Sequence, residues 1–269
     1  MIDFGLVGKR AVVSGAGYIP GRAGHGRRSS LRLAEAGATV ACIDIDEGRA
    51  NGIAEEIVAA GGKAFPVVAD MTIANEVERA LDEAVAELGG LDVCVDIIGR
   101  ATWNPVEKFS DDDWHYAISQ NLTQVFFLFR AASRHMIEQG TGGSLIAIAS
   151  VDGIAAAAYH SAYGAAKAGV ISLARTFADE LGRFGIRANA VAPGAVGSGN
   201  EDQREDRWAI DWKSPLLAPR ASDIANAVLF LSSSLAGRIT GQTLVVDGGA
   251  TTKSLWGMTP ESVDAYRQY

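Results

Sequence analysis

Residues 150–167 read SVDGIAAAAYHSAYGAAK, and the spacing of Ser150, Tyr163 and Lys167 within them organises the rest of the chain. Tyr163 and Lys167 stand four apart in a stretch of helical period, so they share one helix face. A phenol titrates near about pH 10 in water, and a tyrosine that exchanges protons near neutrality needs a cation beside it to favour the phenolate. Lys167 can supply that charge. The run GSLIAIA before Ser150 reads as a buried strand. A hydroxyl at its end can hold a substrate oxygen while Tyr163 passes the proton. Three side chains then converge on one alcohol.

This strand-then-helix unit is one of a series. Apolar runs rich in β-branched residues at Arg10–Ser14, Thr39–Asp44, Lys63–Val68, Leu91–Ile97, Gly143–Ala149, Ile186–Val191 and Thr243–Val246 alternate with helical-period stretches. The helices are expected at 26–36, 46–60, 72–88, 111–138, 161–183 and 222–234. Strands joined by crossover helices predict the α/β class, a doubly wound parallel seven-stranded sheet flanked by helices on both faces. With 269 residues and 48% hydrophobic content, a single domain over 1–269 is expected. Two segments break the alternation. Gly197–Arg220 is polar and acidic, holds Trp208 and Trp212 and closes with SPLLAPR, and it reads as a lid. Residues 250–269 read as a C-terminal tail carrying Trp256, Tyr266 and Tyr269.

A formal net charge of −8 with scattered basic residues gives no general attraction to nucleic acid or anionic lipid. The opening MIDFGLVGKR lacks signal architecture and no apolar run is long enough to span a bilayer, so a cytoplasmic protein with no membrane partner is expected. Cys42 and Cys94 fall in strand-like runs and read as buried thiols. No clustered spacing supports a metal. His115 and His160 read as surface or capping residues.

The first strand runs into SGAGYIPGRAGHG, Ser14–Gly26, and then into a helix. An α/β sheet holds a dinucleotide at such a turn, because backbone N–H groups and the helix N-terminus stabilise pyrophosphate. The second strand ends on Asp44, whose carboxylate suits ribose hydroxyls and repels a 2′-phosphate, favouring NAD over NADP. Arg22, Arg27 and Arg28 weigh the other way, since a guanidinium near the adenosine accommodates a phosphate.

Tyr163-x-x-x-Lys167, with Ser150 thirteen residues before the tyrosine, resembles the signature of the short-chain dehydrogenase/reductase family, and the resemblance covers nearly the whole chain. It implies a Rossmann-like fold, hydride transfer to or from a nicotinamide, and Tyr163 as the acid/base. In AISQNLTQVFFLF, Asn121 is similar to the family's helix asparagine, which holds a water in a proton relay through Lys167. Asp70, in VVADMT, matches an aspartate beside the adenine, with Met71 offering backbone contacts. Pro193, Gly194, Val196 and Ser198, in VAPGAVGS, match the loop flanking the nicotinamide. The helices at 111–138 and 161–183 commonly pair across subunits in the family, which implies a homo-oligomer, dimer or tetramer.

Two departures mark this member. Where the family has N-N-A-G after the fourth strand, this chain has Asp96, Ile97, Ile98 and Gly99. Gly99 keeps a close backbone approach to the cofactor, and Asp96 is expected to be buried with a backbone or water partner. The family's T-G-x-x-x-G-x-G becomes Ser14, Gly15, eight intervening residues, Gly24 and Gly26, an insertion of five. Gly15, Gly24, Gly26 and the following helix are expected to hold the phosphates, with Tyr18 or Arg22 as an added clamp on the adenosine side. By family position the substrate pocket takes Trp103, Ser150, Asp152, Tyr163, Trp208 and Trp212. That mostly apolar wall suits a bulky secondary alcohol or its ketone. Reduction of a 3-oxoacyl thioester and a non-catalytic NAD-sensing role stand as alternatives.

Overall fold

The computed structural model describes residues 3–19, 24–196, 216 and 218–252. Its strands are β1 (Arg10–Ser14), β2 (Thr39–Asp44), β3 (Lys63–Val68), β4 (Val93–Asp96), β5 (Gly143–Ile148), β6 (Ile186–Pro193) and β7 (Thr243–Val246). They pair in parallel in the order β3-β2-β1-β4-β5-β6-β7. The helices are α1 (His25–Glu35), α2 (Glu47–Ala59), α3 (Ala74–Leu88), α4 (Asp111–Ile118), α5 (Gln124–Gln139), α6 (Ser161–Leu181) and α7 (Ala221–Ser232).

Successive strand side chains point to opposite faces, so a sheet covered on both sides must be apolar at every position. Val12 packs with Ala41, Cys94 and Leu145 against α3, α5 and α6. Its neighbours Ala11 and Val13 pack with Val40, Cys42 and Val95 against α1, α2 and α7. Both cysteines are free and buried, and burial pushes the Cys42 thiol up to about 12. The strand order reverses between β1 and β4, so a crevice opens where their carboxyl ends diverge.

The helix expected over 111–138 is instead two helices, α4 and α5, joined by a π-turn at Ser119–Thr123. Asn121 supplies the physical reason. Its Nδ2 donates to the carbonyls of Ala117 (2.8 Å) and Arg100 (3.0 Å), and its Oδ1 accepts from the Arg100 N–H (2.8 Å). A side chain inserted into the carbonyl ladder widens the turn locally. The fourth strand is shorter than the apolar run and the sixth continues to Pro193. Most of the expected lid and tail, with Ser198, Trp208, Trp212 and Trp256, and Pro20 to Arg22 of the inserted loop, lie outside the described residues. Leu216 is described, and its N–H donates to the Gly248 carbonyl at 2.8 Å.

The start of α1 fixes the floor of the crevice. Gly24 precedes it at φ 71°, a conformation that glycine adopts without a Cβ penalty. A Cβ at Gly26 would run into the Gly15 carbonyl, so the helix begins in backbone contact with the residue after β1. Gly26→Ala should therefore lower stability by about 1–3 kcal/mol through overpacking. Chemical denaturation would measure that loss, and NADH titration of the folded fraction should show weakened binding.

Candidate active site

Ser150 stands two residues beyond the end of β5, and α6 carries Tyr163 and Lys167 one turn apart. The Ser150 hydroxyl accepts the Asp152 N–H at 3.1 Å and lies near enough to the Tyr163 phenol to lower its pKa. Lys167 is 1% exposed. Its Nζ donates to the Ile148 carbonyl at 2.7 Å and lies 5.8 Å from the centre of the Tyr163 ring. Gly99 closes the group from the β4 side. A Cβ there would sit 3.0 Å from Lys167 Nζ and 3.3 Å from Asn121 Oδ1, so a side chain would crowd both. Asn121 reaches the site, yet both amide hydrogens are taken by backbone carbonyls, so its first task is to tie the π-turn to Arg100.

Loss of water governs these protonation states. Burial pushes Lys167 down to about 8, and the charge of Asp96 partly restores it. Burial pushes Asp96 up to about 7, against the pull of the Lys167 charge, a bond from Gln124 and the Ile98 backbone. The Gln124 amide, 3.1 Å from Asp96 Oδ2, is a partner not foreseen for Asp96. The Tyr163 phenol is raised above its ordinary range by burial; the Ser150 hydroxyl lowers it and the Asp152 charge raises it. Burial, rather than a nearby cation, is thus the largest influence on the phenol.

His160 is not a surface residue: it is 7% exposed and immediately precedes α6. Its Nδ1 lies 2.5 Å from Asp152 Oδ2, and its ring stands edge-on to Trp103 and Tyr163, with centroids 3.6 Å and 5.5 Å away. Asp152 is therefore engaged with the imidazole, while Trp103 is 71% exposed. The preceding Tyr159 holds φ 68°, uncommon for a residue with a Cβ, and its carbonyl accepts the Asn104 N–H at 3.0 Å. That bond docks the Trp103 segment beside Tyr163.

At the strand-order reversal lies a cleft of about 690 Å³. It gathers Gly15, Gly24 and Gly26 from the first turn, Asp44 from β2, Asp70 and Met71 after β3, and Gly99 after β4. The α1 N-terminus has no side-chain cap and no acidic residue in its first turn, which leaves its N–H groups to an anion. His25, in that turn, is pushed down to about 4 by burial and then by the Lys167 charge. A phosphate-bearing dinucleotide fits this donor set. The N–H groups of Gly15 and Ala16 donate to the Ile43 carbonyl instead. Asp70 accepts the Thr72 N–H (2.9 Å) and hydroxyl (2.6 Å). Tyr18, 42% exposed, packs back on Gly24 with the Arg27 guanidinium 5.8 Å from its ring centre.

Pro193 ends β6, and Gly194 donates to the Val246 carbonyl at 2.9 Å. A Cβ on Gly194 would press on Asp247, so the glycine there permits contact with the chain leaving β7. Val196 packs partly buried against the α1 and α7 side of the sheet. Arg49 was missed from sequence. Its Nε and Nη2 both donate to Asp44 Oδ1, at 2.9 and 2.7 Å. The signal was Asp46, which caps α2 by accepting the Arg49 N–H at 2.9 Å and so turns the first helical turn toward Asp44.

A protein-family profile described as Enoyl-(Acyl carrier protein) reductase matches residues 21–251. The 2-dehydro-3-deoxy-D-gluconate 5-dehydrogenase of Escherichia coli (strain K12) is 33% identical over 251 residues, covering 91% of this chain and 96% of that protein. The chain belongs to the short-chain dehydrogenase/reductase family. Two solved members of the family superpose on it. Carveol dehydrogenase from Mycobacterium avium in complex with NAD has a TM-score of 0.81 at 32% identity, covering 92% of this chain and 99% of that one. A gluconate 5-dehydrogenase from Burkholderia cenocepacia J2315 in complex with NADP and tartrate has a TM-score of 0.82 at 33% identity, covering 92% and 97%. The chain is thus an oxidoreductase of a family that uses a nicotinamide cofactor and acts on small molecules.

The Asp96 charge holds the Lys167 ammonium up, which gives a pH prediction. In Asp96→Asn the lysine should lose its proton at lower pH, so a basic limb of the kcat/KM profile set by Lys167 should move toward neutrality. Rates compared between about pH 5 and 10 would show it, and an unmoved basic limb would count against Lys167 as the titrating group.

Proposed function

We propose that this chain transfers hydride between NAD(H) and a bulky, mostly apolar secondary alcohol or its ketone, with Tyr163 as acid/base. The convergence of Ser150, Tyr163 and Lys167 carries this reading. Ser150 lies near enough to the Tyr163 phenol to lower its pKa, and Lys167 Nζ lies 5.8 Å from the ring centre, so a substrate oxygen held by Ser150 sits where the phenol can exchange a proton with it. The nicotinamide, when bound, supplies or accepts the hydride at the substrate carbon. In reduction Tyr163 gives its proton to the forming alkoxide, and the Lys167 charge favours the phenolate that remains. In oxidation the same groups run in reverse.

NAD is preferred in this reading because Asp44 ends β2 with its carboxylate on the cleft, the place for ribose hydroxyls. Gly15, Gly24, Gly26, Asp70, Met71 and Gly99 hold the cofactor, Pro193, Gly194 and Val196 border its nicotinamide end, and Ser198, outside the described residues, is assigned there by family position alone. Trp103, the imidazole of His160 and Tyr163 form an aromatic wall beside the reacting atoms, which supports a substrate with a large apolar body. Asp152 serves that wall through His160, and Trp208 and Trp212, outside the described residues, are assigned to the substrate by family position alone. The protein works as a homo-oligomer, dimer or tetramer. Reduction of a 3-oxoacyl thioester keeps the same catalytic groups, and the likeness to relatives described as 3-oxoacyl-[acyl-carrier-protein] reductase favours it as the second reading.

Tyr163→Phe should leave the NADH dissociation constant nearly unchanged while turnover falls by about 10²–10⁴-fold. A panel of cyclic and aromatic alcohols, their ketones and a 3-oxoacyl thioester, run with both cofactors on the unaltered protein, separates the two readings. Unimpaired turnover in Tyr163→Phe would remove the acid/base assignment.

A further inference from the structure

We propose that Arg49 sets the cofactor specificity of the cleft: paired with Asp44, it offsets that carboxylate's rejection of a 2′-phosphate, so NADP(H) is admitted as well as NAD(H). This rests on the dinucleotide reading given above. Both guanidinium bonds from Arg49 fall on one oxygen, Asp44 Oδ1, which also accepts the Asp46 N–H at 3.0 Å. The other oxygen, Oδ2, accepts only the Gly17 N–H at 3.2 Å among the described residues and keeps room for ribose hydroxyls. Asp44 can thus serve an unphosphorylated ribose without losing its arginine.

A carboxylate offers only acceptors, and a 2′-phosphate brings more negative charge and more acceptors, so Asp44 alone would exclude it. Arg49 changes both terms. It cancels the carboxylate charge locally, and its third nitrogen, Nη1, has no hydrogen-bond partner among the described residues. Its side chain is 29% exposed at the cleft wall. A planar guanidinium with a spare N–H edge is the group that grips phosphate oxygens in a forked geometry. Of the three arginines near the glycine loop, Arg22 lies outside the described residues, Arg27 is held through Nε and Nη2 by the Glu56 carboxylate, and Arg28 is engaged as well. Asp46 and Glu47 open α2 beside Arg49, and Arg100, the other arginine lining the cleft among the described residues, donates through Nη1 to the Tyr116 hydroxyl at 3.3 Å. Arg49 therefore carries the compensation.

The direction is the reverse of what a lone Asp44 predicts. NADH and NADPH dissociation constants should be measured by fluorescence titration for the unaltered protein, Arg49→Ala, Asp44→Ala and the double variant. In Arg49→Ala the ratio of the NADPH to the NADH constant should rise by about tenfold or more, with Arg49→Lys intermediate. In Asp44→Ala NADPH should bind more tightly than to the unaltered protein, and the double variant should lose that gain. A ratio unchanged in Arg49→Ala, or a gain in Asp44→Ala that survives in the double variant, would overturn the role of Arg49. Failure of the unaltered protein to bind either dinucleotide would instead overturn the reading of the cleft.

Discussion

The burial of the Lys167 ammonium is the constraint around which the rest of the site is arranged. An ammonium taken out of water carries a penalty of several kcal/mol unless bonds and opposite charge offset it. Here the offsets are the Ile148 carbonyl at the end of β5 and the field of Asp96 at the end of β4. Each depends on the sheet placing two adjacent strand ends beside one turn of α6. Gly99 contributes by having no Cβ where one would meet Nζ, and His25 by being held neutral on the far side. Asp96 and Lys167 are driven to about 7 and about 8 by the same loss of water, and the charge of each favours the charged form of the other. The carboxylate that stands where the family has asparagine is thus electrically part of the active site, not a neutral replacement in the sheet.

Much of this was legible in the sequence, for identifiable reasons. A strand buried on both faces is written as a continuous apolar run, so β1 and β2 begin and end where those runs do, and the part-exposed edge strands β3 and β7 also keep the bounds of their runs. The four-residue spacing of Tyr163 and Lys167 likewise becomes one face of α6. What stayed hidden depends on side chains that reach across elements. The π-turn at Ser119–Thr123 arises because Asn121 bonds to a loop twenty-one residues earlier, and local helical propensity carries no trace of that. His160 reads as a capping residue from its place before a helix. Only the fold brings Asp152 to its Nδ1 and Trp103 to its face.

Asp44 shows a subtler limit. Its position at the end of β2 was readable, and so was the chemistry of a lone carboxylate there. The partner was not. Arg49 lies five residues on, past a helix cap, and its reach back depends on Asp46 bonding the Arg49 N–H. A rule that assigns cofactor from one acidic residue assumes an isolated charge, and Asp44 is paired with Arg49.

The same pairing recurs around the crevice and explains how a chain of net charge −8 keeps a site fit for anions. The aspartates at or just beyond the ends of β2, β4 and β5 each face a basic side chain: Asp44 with Arg49, Asp96 with Lys167, and Asp152 with His160. Asp70 is held by the hydroxyl and N–H of Thr72. An unpaired carboxylate about 5 Å from a phosphate would cost about 3 kcal/mol at an effective dielectric near 20, enough to offset much of what the bare α1 N-terminus contributes. Local neutralisation removes that cost without altering the overall charge. The acidic surface and the anion-compatible crevice are therefore separate properties. The first follows from composition, and the second from which carboxylates the sheet brings within reach of a nitrogen.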